Sequence, residues 1–159
     1  MTGSRITAAG LVMIALAGSP AISATAMSPF RAMAGNWLGG GIISMADGQQ
    51  QRMRCRASYD VAGDADQLRL NLRCASDSYR FDVSSDVTSQ GDRISGNWSE
   101  ASRNVSGTLQ GRGGAGVFEV VASTAGFNAN IVLRTAGNKQ SVTMRADTQF
   151  RGAAISLSR

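Results

Sequence analysis

Cys55 and Cys74 fall at matching positions in two runs of alternating apolar and polar residues, and this coincidence constrains the chain more than any other feature. In the first run Met53, Cys55, Ala57 and Tyr59 alternate with Arg52, Arg54, Arg56 and Ser58. In the second, Leu68, Leu70, Leu72 and Cys74 alternate with Arg69, Asn71 and Arg73. Period two in both arms is the pattern of half-buried strands, and Val61 to Gln67, with Gly63, Asp64 and Asp66, supplies turn chemistry between them. If Cys55 faces Cys74, then Ala57 meets Leu72, Tyr59 meets Leu70 and Val61 meets Leu68. Every apolar partner then stays on one face, and a slip of one residue would destroy the match. Both sulfurs sit on that face at opposing positions, where a cross-strand disulfide is geometrically allowed. Closing such a loop is worth about 3 kcal/mol in the chain-entropy account. The alternative is a pair of buried thiols in a reducing compartment.

The N-terminal residues decide for the disulfide. Arg5 precedes an apolar run, Ile6 to Gly18, and Ala24-Thr25-Ala26 forms an A-x-A cleavage signature, so residues 1–26 are expected to be a secretory signal peptide cut before Met27. The run is too short to span a bilayer comfortably. Leu16-Ala17-Gly18 has the form of a lipobox, but Ser19 stands where lipidation needs a cysteine. A periplasmic or secreted protein is therefore expected, in surroundings that oxidise cysteine pairs. The segment holds one arginine and no acid, so its removal leaves 133 of 159 residues and 15 basic against 11 acidic side chains, a charge of +4. Residues 27–159 suffice for a single domain that folds without a metal or partner.

The rest of the chain repeats the strand pattern. Pro29 to Ala34 suits a short helical turn before a strand from Trp37 to Met45, whose glycines 39, 40 and 41 predict close backbone approach, a bulge or a sharp bend. Asp47-Gly48 is a hairpin turn. After Cys74 the alternation changes phase, since Tyr79, Phe81 and Val83 are odd-numbered, so Ala75 to Ser78 must hold a turn or bulge. Strands then follow over Tyr79–Thr88, Arg93–Glu100, Asn104–Gln110, Val117–Ser123, from Phe127, around Val142, and over Phe150–Leu157, the last changing phase near Gly152. Gly111 to Gly116 reads as a hairpin loop. The fold class is thus all-β: an antiparallel up-and-down β-barrel of about 8–10 strands with one internal disulfide, a two-sheet β-sandwich being the alternative.

Gly35-Asn36-Trp37 ahead of the first strand resembles the Gly-x-Trp signature of the lipocalin and avidin (calycin) superfamily. This likeness implies a barrel that holds a ligand in its mouth, with the superfamily's closing arginine at Arg134, Arg145 or Arg151. The chain is also similar in architecture to small exported bacterial protease inhibitors with a lipocalin-like barrel, whose inhibitory segment would correspond to Met27–Ala34. Over most of residues 30–159, including RCRASYDV, LRCASDSY and SGNWSE, it resembles a group of exported proteins of alphaproteobacteria. That likeness implies the compartment and the cysteine pair and carries no activity.

Chemistry is limited by composition. There is no histidine, and the two cysteines are expected to be oxidised, so neither a metal site of the usual kind nor a histidine-activated nucleophile is expected, and no cofactor. Carboxylates are the remaining catalytic option: Trp98 and Glu100 share a face, with Glu119 the only other glutamate, but the simpler account makes Trp98 core and places Glu100 at the start of a solvated turn. Two binding surfaces remain. Trp37, Tyr59, Tyr79, Phe81, Trp98 and Phe127 are the candidate lining of an interior pocket for a small apolar or amphipathic ligand. Arg54, Arg56, Arg69 and Arg73 crowd one outer face, suited to an anionic envelope component or a periplasmic protein unless water and acids such as Asp82 and Asp86 screen them. Nucleic acid is not expected as a partner in this compartment.

Overall fold

The computed structural model describes residues 28–159. The expected signal peptide, residues 1–26, and its cleavage site lie outside the described residues. A 3-10 turn, Arg31–Met33, leads into ten strands: β1 Gly35–Met45, β2 Gln50–Ala62, β3 Gln67–Ala75, β4 Arg80–Gln90, β5 Arg93–Glu100, β6 Val105–Gly114, β7 Val117–Ser123, β8 Asn128–Ala136, β9 Lys139–Ala146 and β10 Phe150–Ser158. Each strand pairs antiparallel with its neighbours in sequence, and β1 pairs with β10, so the sheet closes into a barrel. Closure removes the unpaired edges that a two-sheet sandwich would keep.

Register follows the cysteine pair. Cys55 lies opposite Cys74, Ala57 opposite Leu72, Tyr59 opposite Leu70 and Val61 opposite Leu68, and the disulfide is formed. The change of phase beyond Cys74 is made by a tight turn in which the Ser76 N–H donates to the Tyr79 carbonyl and the Ser76 hydroxyl oxygen accepts from the N–H groups of Ser78 and Tyr79. Phe81 then faces Cys74, and Val83 faces Leu72. The second phase change is a bulge in β10: Met45 pairs with Phe150 and Ser44 with Gly152, leaving Arg151 as the extra residue.

The expected loop at Gly111–Gly116 is not a loop over most of its length. β6 continues through Gly114, and the turn contracts to Ala115 and Gly116, both at positive φ. Gly113 is glycine because of packing, since a Cβ there would fall 2.3 Å from the Phe118 ring. The glycines of β1 do provide close approach. A Cβ on Gly39 would lie 2.0 Å from the Ser156 carbonyl oxygen, and one on Gly41 would lie 2.2 Å from that of Ala154, so the β1–β10 seam tolerates no side chain at either position.

One end of the barrel is stoppered. The hairpins β2–β3, β4–β5, β6–β7 and β8–β9 turn at this end, together with the 3-10 turn. Phe30 and Met33 are buried there, Phe30 stacks on Phe118 at 5.4 Å between centroids, and its N–H donates to the Ala65 carbonyl. Trp37 is fully buried beneath them, and its Nε1–H donates to the Met33 carbonyl at 2.8 Å. The guanidinium of Arg159 stacks 4.6 Å above the Trp37 ring and donates to the Ala34 carbonyl. The arginine that closes against the Gly-x-Trp segment is therefore Arg159. The positions expected from the resemblance, Arg134, Arg145 and Arg151, lie on outward positions of β8, β9 and β10 instead.

The disulfide joins two strands that already pair, so its removal should loosen the unfolded chain and leave the barrel topology intact. Cys55→Ser is expected to lower the melting temperature by on the order of 10 °C, the equivalent of about 3 kcal/mol. Reductant should bring the wild type to the same value in a thermal melt, whereas no effect of reductant would mean that the bond contributes nothing.

Candidate functional site

The inward side chains do not fill the barrel. A cavity of about 320 Å³ runs along its axis, walled by Leu68, Leu70 and Leu72 of β3, Val83 and Val87 of β4, Leu109 of β6, Val120 of β7, Ile131 and Leu133 of β8, Val142 and Met144 of β9, and Ile155 of β10. Phe30, Met33 and Phe118 form its floor. At the opposite end Phe81, Phe127 and Phe150 surround the mouth, together with Glu100, Arg103 and Thr148. Such a space arises because ten strands enclose more volume than eight, and because Ala122, Ala129 and Ala146, adjacent across β7, β8 and β9, present methyl groups where larger chains would meet.

The candidate pocket residues divide by depth. Tyr59, Phe81, Trp98 and Phe127 line the cavity. Trp37 lies in the closed end below it, and Tyr79 lies at the mouth, edge-on to Phe150 at 5.9 Å. Polar groups inside are few and mostly paired. The Tyr59 hydroxyl donates to Gln140 Oε1 at 2.6 Å, and Gln140 Nε2 donates to Thr135 Oγ1. Burial pushes the Tyr59 phenol well above its ordinary pKa, with the bond to Gln140 opposing only in part, so it stays a neutral donor. The Ser85 hydroxyl donates to the Asn97 carbonyl. Trp98 Nε1 differs: among the described residues it is a fully buried donor with no partner. A buried donor left unpaired is costly and calls for an explanation. The ring occupies its place because the facing residue, Gly107, has no side chain; a Cβ there would lie 3.1 Å from Nε1.

The charged pair at the mouth was not anticipated. Glu100 begins the β5–β6 turn as expected, but it is buried, not solvated, at 6% exposure. Its Oε1 accepts from the N–H groups of Asp82 and Ser102, and its Oε2 from the N–H of Arg103. Burial alone would raise its pKa, but these three backbone donors outweigh it and hold the carboxyl below its ordinary value. Arg103 returns over the mouth, its Nη1 donating to Glu100 Oε2 at 3.3 Å and to the Arg80 carbonyl at 3.2 Å. Its guanidinium carbon lies 4.4 Å from the centre of the Phe81 ring and 4.6 Å from that of Phe150. Only the i, i+3 spacing from Glu100 hinted at this arrangement, because Arg103 sits in a turn where alternation carries no signal. Glu119 faces outward on β7, so the two glutamates lie on opposite sides of the wall and form no catalytic pair.

Outside, the arginine face is divided. Arg69 pairs with Asp86 at 2.9 Å and Arg73 with Asp82 at 3.2 Å, so the neighbouring strand supplies the screening. Arg54 and Arg56 make no ion pair among the described residues. They line a shallow cleft with Arg73, Arg80 and Leu38, whose side chain is 63% exposed.

Because Glu100 has a lowered pKa in the folded state, its contribution to stability is complete above the unfolded carboxylate value of about 4.3 and is lost as the pH falls through the lower folded value. Glu100→Gln is expected to cost on the order of 1–3 kcal/mol at neutral pH. In denaturant titrations between pH 7 and pH 2 it should also flatten the acid loss seen in the wild type.

No family model and no curated protein matches the sequence. Among solved structures, that of an S-type phycobiliprotein lyase from Guillardia theta superposes with a TM-score of 0.58 over 82% of this chain and 89% of that one, at 9% identity. At this identity the likeness is one of fold: a barrel of this type is shared with a protein of very different sequence.

Proposed function

We propose that the protein is an exported binding module that holds a small apolar or amphipathic ligand inside its barrel and catalyses no reaction on it. The observation that carries this reading is the cavity: about 320 Å³ of space, stoppered at one end by Phe30 and Met33 and bordered by aromatic rings at the other. That volume is at the lower end of the range of small-molecule sites, and a largely apolar lining with a few placed polar groups is their usual composition. A closed barrel in an oxidising compartment, cross-linked at Cys55–Cys74, agrees with export. The carboxylates support a binding role over hydrolysis, since Glu100 is held ionised by backbone donors and Glu119 points away. The superposed structure is that of a phycobiliprotein lyase, and the likeness is compatible with a ligand in the same kind of barrel.

A second reading rests on Arg54, Arg56 and Arg80 around exposed Leu38, a surface suited to an anionic envelope component or a periplasmic protein. Its protease-inhibitor form is weakened by the N-terminal segment, whose Phe30 and Met33 are buried in the barrel floor and not available to a protease.

Native mass spectrometry of the protein purified gently from its own periplasm should show excess mass that disappears on denaturation. Ala146→Phe, which fills the cavity below the mouth, should lose the extra mass and keep the fold. A bare mass together with no uptake of an apolar fluorescent probe would reject the cavity reading and favour the arginine cleft.

A further inference from the structure

Near the mouth, the polar groups with unused N–H donors are Trp98 and Arg103. Trp98 Nε1 is buried without a partner. Arg103 is 33% exposed and uses Nη1 for both of its protein bonds, to Glu100 and to the Arg80 carbonyl. A guanidinium carries five N–H donors, so the three on Nε and Nη2 remain, and that edge is the one that matches a carboxylate with two parallel bonds. The one carboxylate of the same region among the described residues is taken. Glu100 is 7% exposed at its side chain, and its two oxygens receive four donors. The Ser85 hydroxyl spends its proton on the Asn97 carbonyl and is left as a neutral acceptor only. A cationic head group would have to displace one of the bonds to Glu100 to pair with it, whereas an anionic head finds an open edge on Arg103.

We propose, building on the cavity reading above, that the ligand is an elongated apolar molecule ending in one carboxylate, with the carboxylate seated on the open edge of Arg103 and its chain running toward Phe30 and Met33. Phe81 and Phe150 hold the guanidinium at a fixed place over the mouth, and the Glu100 contact fixes its rotation. Glu100 does not repel the head strongly, because its own charge is met by three backbone N–H groups and by Nη1. Arg103 is thus the specificity-determining residue, and Trp98 supplies a second donor to the acceptor end of the ligand.

The test compares decanoate with decan-1-ol, two molecules of equal chain length that differ in the head, by displacement of an uncharged fluorescent probe from delipidated protein. Wild type should bind decanoate about tenfold or more tightly than the alcohol. Arg103→Met keeps the packing on the two rings and should remove that preference by weakening decanoate far more than the alcohol. Arg103→Lys keeps the charge without the fork and should retain only part of it. Melting curves establish that the variants are folded. Equal binding of the two molecules by the wild type would overturn the head-group assignment and leave the cavity reading standing, and an undiminished preference in Arg103→Met would likewise overturn it. If the probe enters and neither molecule displaces it, the assignment also fails. If no probe, acid or alcohol binds, the cavity reading fails with it.

Discussion

The cavity exists only while ten strands keep one in-out phase around the whole ring. Each neighbour must be in register with the next, since a displacement of one residue would turn a row of leucines and valines to water and a row of arginines inward. Where the chain cannot keep the phase by simple alternation, a local device restores it: the Ser76 turn between β3 and β4, and the bulge at Arg151 in β10. The disulfide ties down the register of β2 and β3, and the rest of the ring propagates from strand to strand by direct pairing.

The outer surface obeys a similar logic in charge. Opposed arginines such as Arg56 and Arg73 would be unfavourable in an isolated hairpin, and β4 answers with Asp82 and Asp86 beside Arg73 and Arg69. These exposed pairs contribute little to stability. On this face they neutralise Arg69 and Arg73 and leave Arg54, Arg56 and Arg80 as the arginines bordering the cleft that are unpaired among the described residues.

The strand pairing of the Cys55 hairpin was legible residue by residue, because alternation, turn chemistry and a cysteine pair converge on one register. The fold class was legible for the same reason, repeated along the chain. Depth was not. Alternation tells which side of the wall a residue faces, not how far along the axis it lies, so Trp37 and Trp98 looked equivalent although one belongs to the stopper and the other to the cavity. Glycine was ambiguous in a different way: Gly111 to Gly114 looked like a loop, whereas they continue β6 past the ring of Phe118. Arg103 and Arg159 lay beyond periodic reasoning altogether. One sits in a turn and the other follows the last strand, and each is placed by aromatic rings that are distant in sequence.

The contact of Arg159 with Ala34 spans 125 residues, and the β1–β10 seam beside it is made of the two most widely separated strands. Neighbouring hairpins close short loops, whereas pairing β1 with β10 directly from the open chain would carry its full loop-closure entropy, so the seam is favoured only as the intervening pairings bring the two strands together. Until then β1 and β10 present open edges, and the exposed Leu38 and Ile42 of β1 border one of them. The ring that leaves the folded protein without a free edge therefore makes the late stages of its folding the period in which edge-to-edge association is most dangerous.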